Sequence, residues 1–272
     1  AGCEAALTAH DAAQPLPSPE EAARLAVALK RFFAAGDLRQ ALAASDALLA
    51  AGRAERDVWR LTAGLYIDAG EGENAARAAG LYISGKDDAF GLFLRARAAF
   101  LLGHWQAARL DAQRALSLGT LARGDEVLAH NLLARVSCSM GEVEESLREE
   151  RAAFESAETL EDKASSWSNY LFALHYVERE PQFMLDAARR YGELFKGVPR
   201  MKRAPKRRGK IRVGYISPDF TFHIVALFSF AFFTHFDKSR FEVFGYSLAG
   251  ENAMASELSS HASAWRYVGG ET

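Results

Sequence analysis

Ala89-Phe-Gly-Leu-Phe-Leu-Arg-Ala96-Arg-Ala-Ala-Phe-Leu-Leu-Gly103-His-Trp-Gln-Ala-Ala108-Arg-Leu-Asp-Ala-Gln-Arg-Ala-Leu-Ser117 is the stretch on which the reading of the fold turns. Two alanine- and leucine-rich runs, apolar at three- and four-residue steps, flank one glycine. That is the pattern of two amphipathic helices joined by a sharp turn. One alanine stands seven residues before Gly103 and another five after it. Small side chains at those offsets let two helices cross closely, while glycine supplies the turn between them. The arrangement recurs around Gly36, Gly70 and Gly141, so that successive glycines are 34, 33 and 38 residues apart. Ala63 and Ala134 repeat the position of Ala96, with Leu29 in the first copy; Ala41, Ala75 and Ser146 repeat that of Ala108. Self-similarity at this period marks a solenoid of helical hairpins.

A helix–turn–helix unit of roughly 34 residues with small residues at these offsets resembles the tetratricopeptide repeat (TPR). Another helical-hairpin solenoid is the alternative, with nearly the same architecture. The helical region spans 18–197, after an irregular N-terminal segment, 1–17. Ser18-Pro19-Glu20-Glu21 opens it with a hydroxyl N-cap, proline at the first helical position and a glutamate that closes a capping box. Leu25, Leu29, Phe32 and Phe33 form the apolar stripe of the first helix. A last pair of helices is expected near 161–178 and 181–196, the second opened by Pro181. Trp167, Tyr170, Leu171, Leu174 and Tyr176 are expected to form the core face of the first.

Composition narrows the class. Hydrophobic residues make up 49% of the 272, charged residues 25%, and the formal net charge of −2 points to no strongly charged partner. No window holds the about 18 uncharged apolar residues of a membrane span. Two cysteines, Cys3 and Cys138, are too few for a disulfide framework and lack metal-ligand spacing, so a reducing, cytoplasmic setting is expected. Residues 198–210 form a basic linker with two prolines. A solvated connection is one reading of it and contact with phosphates another; nothing around it resembles a nucleic-acid module.

From 211 to 272 the period becomes strand-like, and an α/β region begins. Ile211-Arg-Val-Gly-Tyr-Ile216 suits a buried parallel strand, and Ser217-Pro-Asp-Phe-Thr-Phe-His223 is the loop after it. Val225–Phe233 is apolar almost all round, as a helix buried against a sheet should be. A second strand at 241–248, a helix near 252–263 and a third strand at 265–268 complete a βαβ pattern. Open α/β sheets place ligands at the carboxyl ends of their strands, where this loop carries Asp219 and His223. The histidine either works chemically, as a base or a hydrogen-bonding group, or caps the following helix. Dinucleotide, P-loop, zinc-protease and nucleophile-elbow patterns are absent. Two or three strands cannot cover both faces of a parallel sheet, so the α/β domain is expected to continue beyond 272.

Lys210–His223 and Phe241–Tyr246 resemble the opening of the catalytic domain of the O-GlcNAc transferase (SPINDLY-like) family, bacterial type. Ser168–Tyr176 and Ala187–Phe195 are similar to the last helices before that domain. The resemblance implies a TPR arm that recruits acceptor proteins, joined to a two-lobed GT-B (Rossmann-like) domain. It also implies transfer of a sugar, commonly N-acetylglucosamine from UDP-GlcNAc, to serine or threonine hydroxyls, with no metal and no further cofactor. By position, His223 matches the family's active-site histidine, and Asp219 and Phe220 match the substrate-side loop that holds it. Ile224 replaces a frequent proline, Ala264 stands where a second histidine often does, and of the family's peptide-holding asparagines only Asn131 has a counterpart. The chain is thus expected to stop inside the catalytic domain, and residues 1–272 alone to be inactive. A homo-oligomer is compatible with this reading. The alternatives are a TPR interaction scaffold without catalysis and, more remotely, a regulator touching nucleic acid through the basic linker.

Overall fold

The computed structural model describes residues 16–84, 88–199 and 209–269. Residues 1–15 of the irregular N-terminal segment, with Cys3, and residues 200–208 of the basic linker lie outside the described residues. The chain divides into two compact units, Ala1–Val198 and Pro199–Thr272.

The first unit holds, among its described residues, ten helices: α1 (Pro19–Ala34), α2 (Leu38–Ala51), α3 (Arg56–Asp68), α4 (Gly72–Ile83), α5 (Ala89–Leu101), α6 (Trp105–Ser117), α7 (Arg123–Ser139), α8 (Val143–Ser156), α9 (Leu160–Leu174) and α10 (Pro181–Glu193). They pack as consecutive hairpins, each stacked on the next, and this is a TPR-like solenoid. The helices start where the side chains dictate. Ser18 and Glu21 form a reciprocal capping box, and Asp37, Asp88 and Thr159 accept backbone N–H groups at the starts of α2, α5 and α9. Gly36, Gly70, Gly103 and Gly141 end the first helix of their hairpins at φ of 73, 79, 74 and 78°, a region that penalises any Cβ. Every small residue at the repeating offsets is buried, from Ala41 and Ala63 through Ser146, as close crossing of the hairpin helices requires. Larger side chains such as Leu48, Val58, Tyr66 and Leu94 fill the space around these crossings. Polar ties join the two helices of single hairpins: Arg95 grips Asp111 with two bonds of 2.6 and 2.7 Å, and His130 Nδ1 lies 2.7 Å from Glu149.

Two expectations are corrected here. Phe33 is half exposed at the end of α1, one helical step off the stripe that buries Leu29. Tyr176 is 61% exposed and lies beyond α9, which stops at Leu174. The cause is local: His175, Tyr176 and Val177 donate to carbonyls three residues back, tightening the helix end and turning Tyr176 away from the core. Its ring instead packs edge-on against Phe172.

The second unit runs β1 (Ile211–Ser217), α11 (Ile224–Thr234), β2 (Phe241–Ser247), α12 (Ala253–His261), β3 (Ala264–Tyr267). The strands form one parallel sheet in the order β1-β2-β3, with Ile211 opposite Phe241 and Phe244 opposite Ala264. Its core is Phe220, Ala226, Phe233, Val243 and Leu258. Among the described residues, β1 and α11 are only partly covered. Among the described residues β1 pairs with β2 alone, and Ile211 and Ile216 are exposed. α11 buries only Ala226 and Phe233, while Phe228 is 75% exposed. One helix can bury only the face it lays on other elements, however apolar its remaining faces are. Among the described residues, no helix is long and apolar enough to cross a membrane.

Two identical substitutions should have opposite signs. Gly70→Ala forces a side chain into φ +79° in otherwise open space and should cost about 1–2 kcal/mol. Gly80→Ala, on the exposed side of α4 with nothing near its Cβ, should add about 0.5–1 kcal/mol. Urea unfolding followed by helical circular dichroism measures both.

Candidate functional site

Parallel strands point their carboxyl ends the same way, so the loops after β1 and β2 come together. Leu248 N–H donates to the Ser217 carbonyl at 3.0 Å and ties the two strand ends. Ser217 Oγ accepts from Asp219 N–H at 3.0 Å and turns the chain out of the sheet. Phe220 then plunges back: it is 2% exposed, with its ring centroid 5.7 Å from Phe233 and 5.1 Å from Trp265. The ring anchors the loop from below. Beneath it Gly245 lies so close to the Trp265 ring that any Cβ there would overlap the indole.

His223 is the N-cap of α11. Its Nδ1 accepts from Val225 N–H at 3.2 Å, and Asp219 Oδ2 lies 4.0 Å from the same nitrogen. Both side chains remain partly open to solvent. A neutral ring that accepts at Nδ1 carries its proton on Nε2, which makes Nε2 a donor. A proton on Nδ1 would break the cap and face Asp219. The two uses of that nitrogen exclude each other, and Nε2 is free in either case.

Asn252 completes the arrangement and was not visible as a site residue in the sequence. Its Oδ1 caps α12 by accepting from Ala255 N–H, while its Nδ2 donates to the carbonyls of Phe220 and Gly250 at 3.0 and 2.9 Å. It couples the second loop to the first. Its place in the second strand–loop–helix, equivalent to that of His223 in the first, was the available signal. Beside it lies an apolar cavity of about 580 Å³ with walls of Phe222, Leu227, Phe230 and Met254; Asn252 and Glu257 supply its polar groups. His223 and Asp219 do not line that cavity.

The solenoid has cavities of its own. One of about 250 Å³ lies among α3, α5 and α7, and one of about 420 Å³ among α5, α7, α8 and α9; Phe100 and Arg135 belong to both. Asn131 lines the first, its Oδ1 accepting from Ser166 Oγ at 3.2 Å. Asn169, 38 residues later, lines the second. Counting back from turn glycines could not find Asn169, because no glycine joins α9 to α10. Among the described residues, no three His, Cys, Asp or Glu side chains are grouped to hold a metal ion.

A variant of the O-GlcNAc transferase of Thermobaculum terrenum is similar to this chain with a TM-score of 0.55 and 24% identity. The likeness covers 79% of this chain and 41% of that one. Two structures of MamA are similar at TM-scores of 0.49 and 0.47, with 18% and 19% identity, over 69% and 61% of this chain and 100% and 91% of theirs. No protein-family model and no curated protein matches the sequence. At such identities the likeness concerns fold. The 79% covered amounts to about 215 residues, more than the 198 of the helical unit, so the similarity to the transferase reaches into the α/β unit.

The two roles of Asn252 can be separated. Asn252→Asp keeps the oxygen that caps α12 and loses the donor to Phe220. Amides of 219–223 should exchange roughly fivefold faster, as loss of a hydrogen bond worth about 1 kcal/mol predicts, while α12 stays protected. Asn252→Ala should loosen both. Hydrogen exchange resolved by residue makes the comparison.

Proposed function

We propose that this chain supplies the acceptor-recruiting arm and the first strands of the catalytic domain of a protein O-glycosyltransferase. The transferase uses a nucleotide-sugar donor, UDP-GlcNAc, and serine or threonine hydroxyls as acceptors. The carrying observation is a TPR-like solenoid followed in the same chain by a strand–loop–helix whose loop presents His223; an O-GlcNAc transferase is similar in fold over 79% of this chain. The chain spans 41% of that enzyme's length, and the reaction belongs to the whole protein.

In such a transfer the acceptor oxygen bonds to the anomeric carbon as the bond to the diphosphate breaks; the hydroxyl proton passes to the departing diphosphate or to water, and negative charge grows on the leaving oxygens. The loop fits the handling of that charge. His223 offers Nε2–H, and the N-terminal end of α11 adds its positive dipole end. With Nδ1 occupied by Val225, the neutral ring serves as a hydrogen-bond donor better than as a base. Phe220 and Asn252 hold the loop in place from within, and Asp219 stands beside the ring for any step that protonates it. Acceptor segments would lie along the cavities of the solenoid.

In a form carrying both lobes of the domain, His223→Ala should lower kcat by about 10²–10³-fold, the usual effect of removing one such donor. His223→Gln, which keeps an N–H, should recover part of the loss. Sugar transfer from UDP-GlcNAc, with circular dichroism as the control for folding, makes the test. Unchanged turnover in His223→Ala leaves the residue a helix cap alone. Absence of all transfer in the unsubstituted protein favours the scaffold reading.

A further inference from the structure

Glu150, on α8, is 4% exposed, and its Oε2 has no hydrogen-bond partner. It borders the cavity of about 420 Å³ among α5, α7, α8 and α9. A carboxylate so placed costs several kcal/mol unless it is paired or protonated. Burial pushes the Glu150 carboxyl up to about 8; the neighbouring Asn169 amide and the charge of Arg135 pull it down, and Glu149 pushes it up. Burial thus favours the neutral acid over the carboxylate at this position.

Arg135 borders the same cavity. Its guanidinium lies 4.4 Å above the Phe100 ring, and it forms no ion pair among the described residues. The neighbouring cations are compensated: Arg97 pairs with Asp68 at 3.2 Å, and Asp125 lies within the field of both Arg60 and Arg97. Glu149, next to Glu150, is held by His130. An uncompensated cation thus borders a cavity that also holds a neutral acid and the Asn169 amide, with apolar Phe100 and Phe172 alongside.

We propose that this cavity is a carboxylate-recognition site for an extended partner peptide: an acidic side chain of the partner pairs with Arg135 and accepts hydrogen bonds from the Asn169 amide, above the buried Glu150 carboxyl. A single guanidinium flanked by a neutral donor matches one negative charge, whereas phosphorylated segments are met by clusters of arginine. The site rests on the reading of the solenoid as an arm that holds protein segments, and it adds what that arm selects.

The site is proton-linked. The groups facing Glu150 are Arg135 and Cys138 from α7, Asn169 from α9 and, on its own helix, Glu149 paired with His130. Below pH of about 8 Glu150 is neutral, and Arg135 is left for the ligand. As pH rises through that value, Glu150 ionises, draws on the Arg135 charge and repels the incoming carboxylate. Affinity for an acidic peptide therefore falls with rising pH.

The test uses residues 1–272 and two blocked peptides, acetyl-Gly-Leu-Glu-Leu-Gly-amide and its Gln counterpart, titrated calorimetrically from pH 6.5 to 9. The Glu peptide should bind about fivefold more tightly at pH 6.5, and the advantage should vanish by pH 9. Arg135→Gln should abolish it at every pH, and Glu150→Gln should preserve it to pH 9. Equal binding of the two peptides, an advantage that survives Arg135→Gln, or a pH fall retained in Glu150→Gln overturns the site while leaving the recruiting arm intact. Failure of both peptides to bind overturns the arm and the site together.

Discussion

Close crossing of paired helices at alanine is the constraint from which the solenoid follows. Ala63, Ala96 and Ala134 on the first helices and Ala75, Ala108 and Ser146 on the second are all buried, and the helices of each hairpin pack on each other. A larger residue at such a crossing would push the axes apart and misalign the next hairpin, because each hairpin is stacked only on its neighbours. The glycine turns serve the same end. Their left-handed backbone reverses the chain within a few residues, and the following helix packs on the one before it. Gly91 shows how tight stacking between hairpins becomes: a Cβ there would lie 2.8 Å from the Tyr82 ring.

This packing also explains where chemistry can reside on the solenoid. With alanine at the crossings and larger apolar side chains around them, the charged side chains lie at the rims of the helices, where Arg135 lies over Phe100 and Arg97 over Phe93. Glu150 is the exception, a charge-bearing residue drawn below that rim, and its protonation resolves the conflict between burial and charge.

In the α/β unit the corresponding constraint is parallel pairing. It brings both loops to one end of the sheet, where Ser217, Asn252 and Phe220 bind them to each other through backbone carbonyls and a buried ring. The two readings of His223 are compatible because imidazole has two nitrogens. One finishes the helix, and that bond dictates what the other can do.

What the sequence alone determined was local in origin. Turn glycines, N-caps, the hairpin period and the strand–loop–helix order depend on neighbours a few residues away, and they could be read directly. The position of His223 after the first strand was legible for the same reason. Which faces are covered was not. The exposure of β1 and of Phe228, the turning away of Tyr176 and the capture of the Phe220 carbonyl by Asn252 depend on what packs where. Only the tertiary structure decided that Glu150, Arg135 and Asn169, spread over three helices, border one cavity. Burial and electric field are properties of space, and residues distant in sequence acquire them only once the helices are stacked.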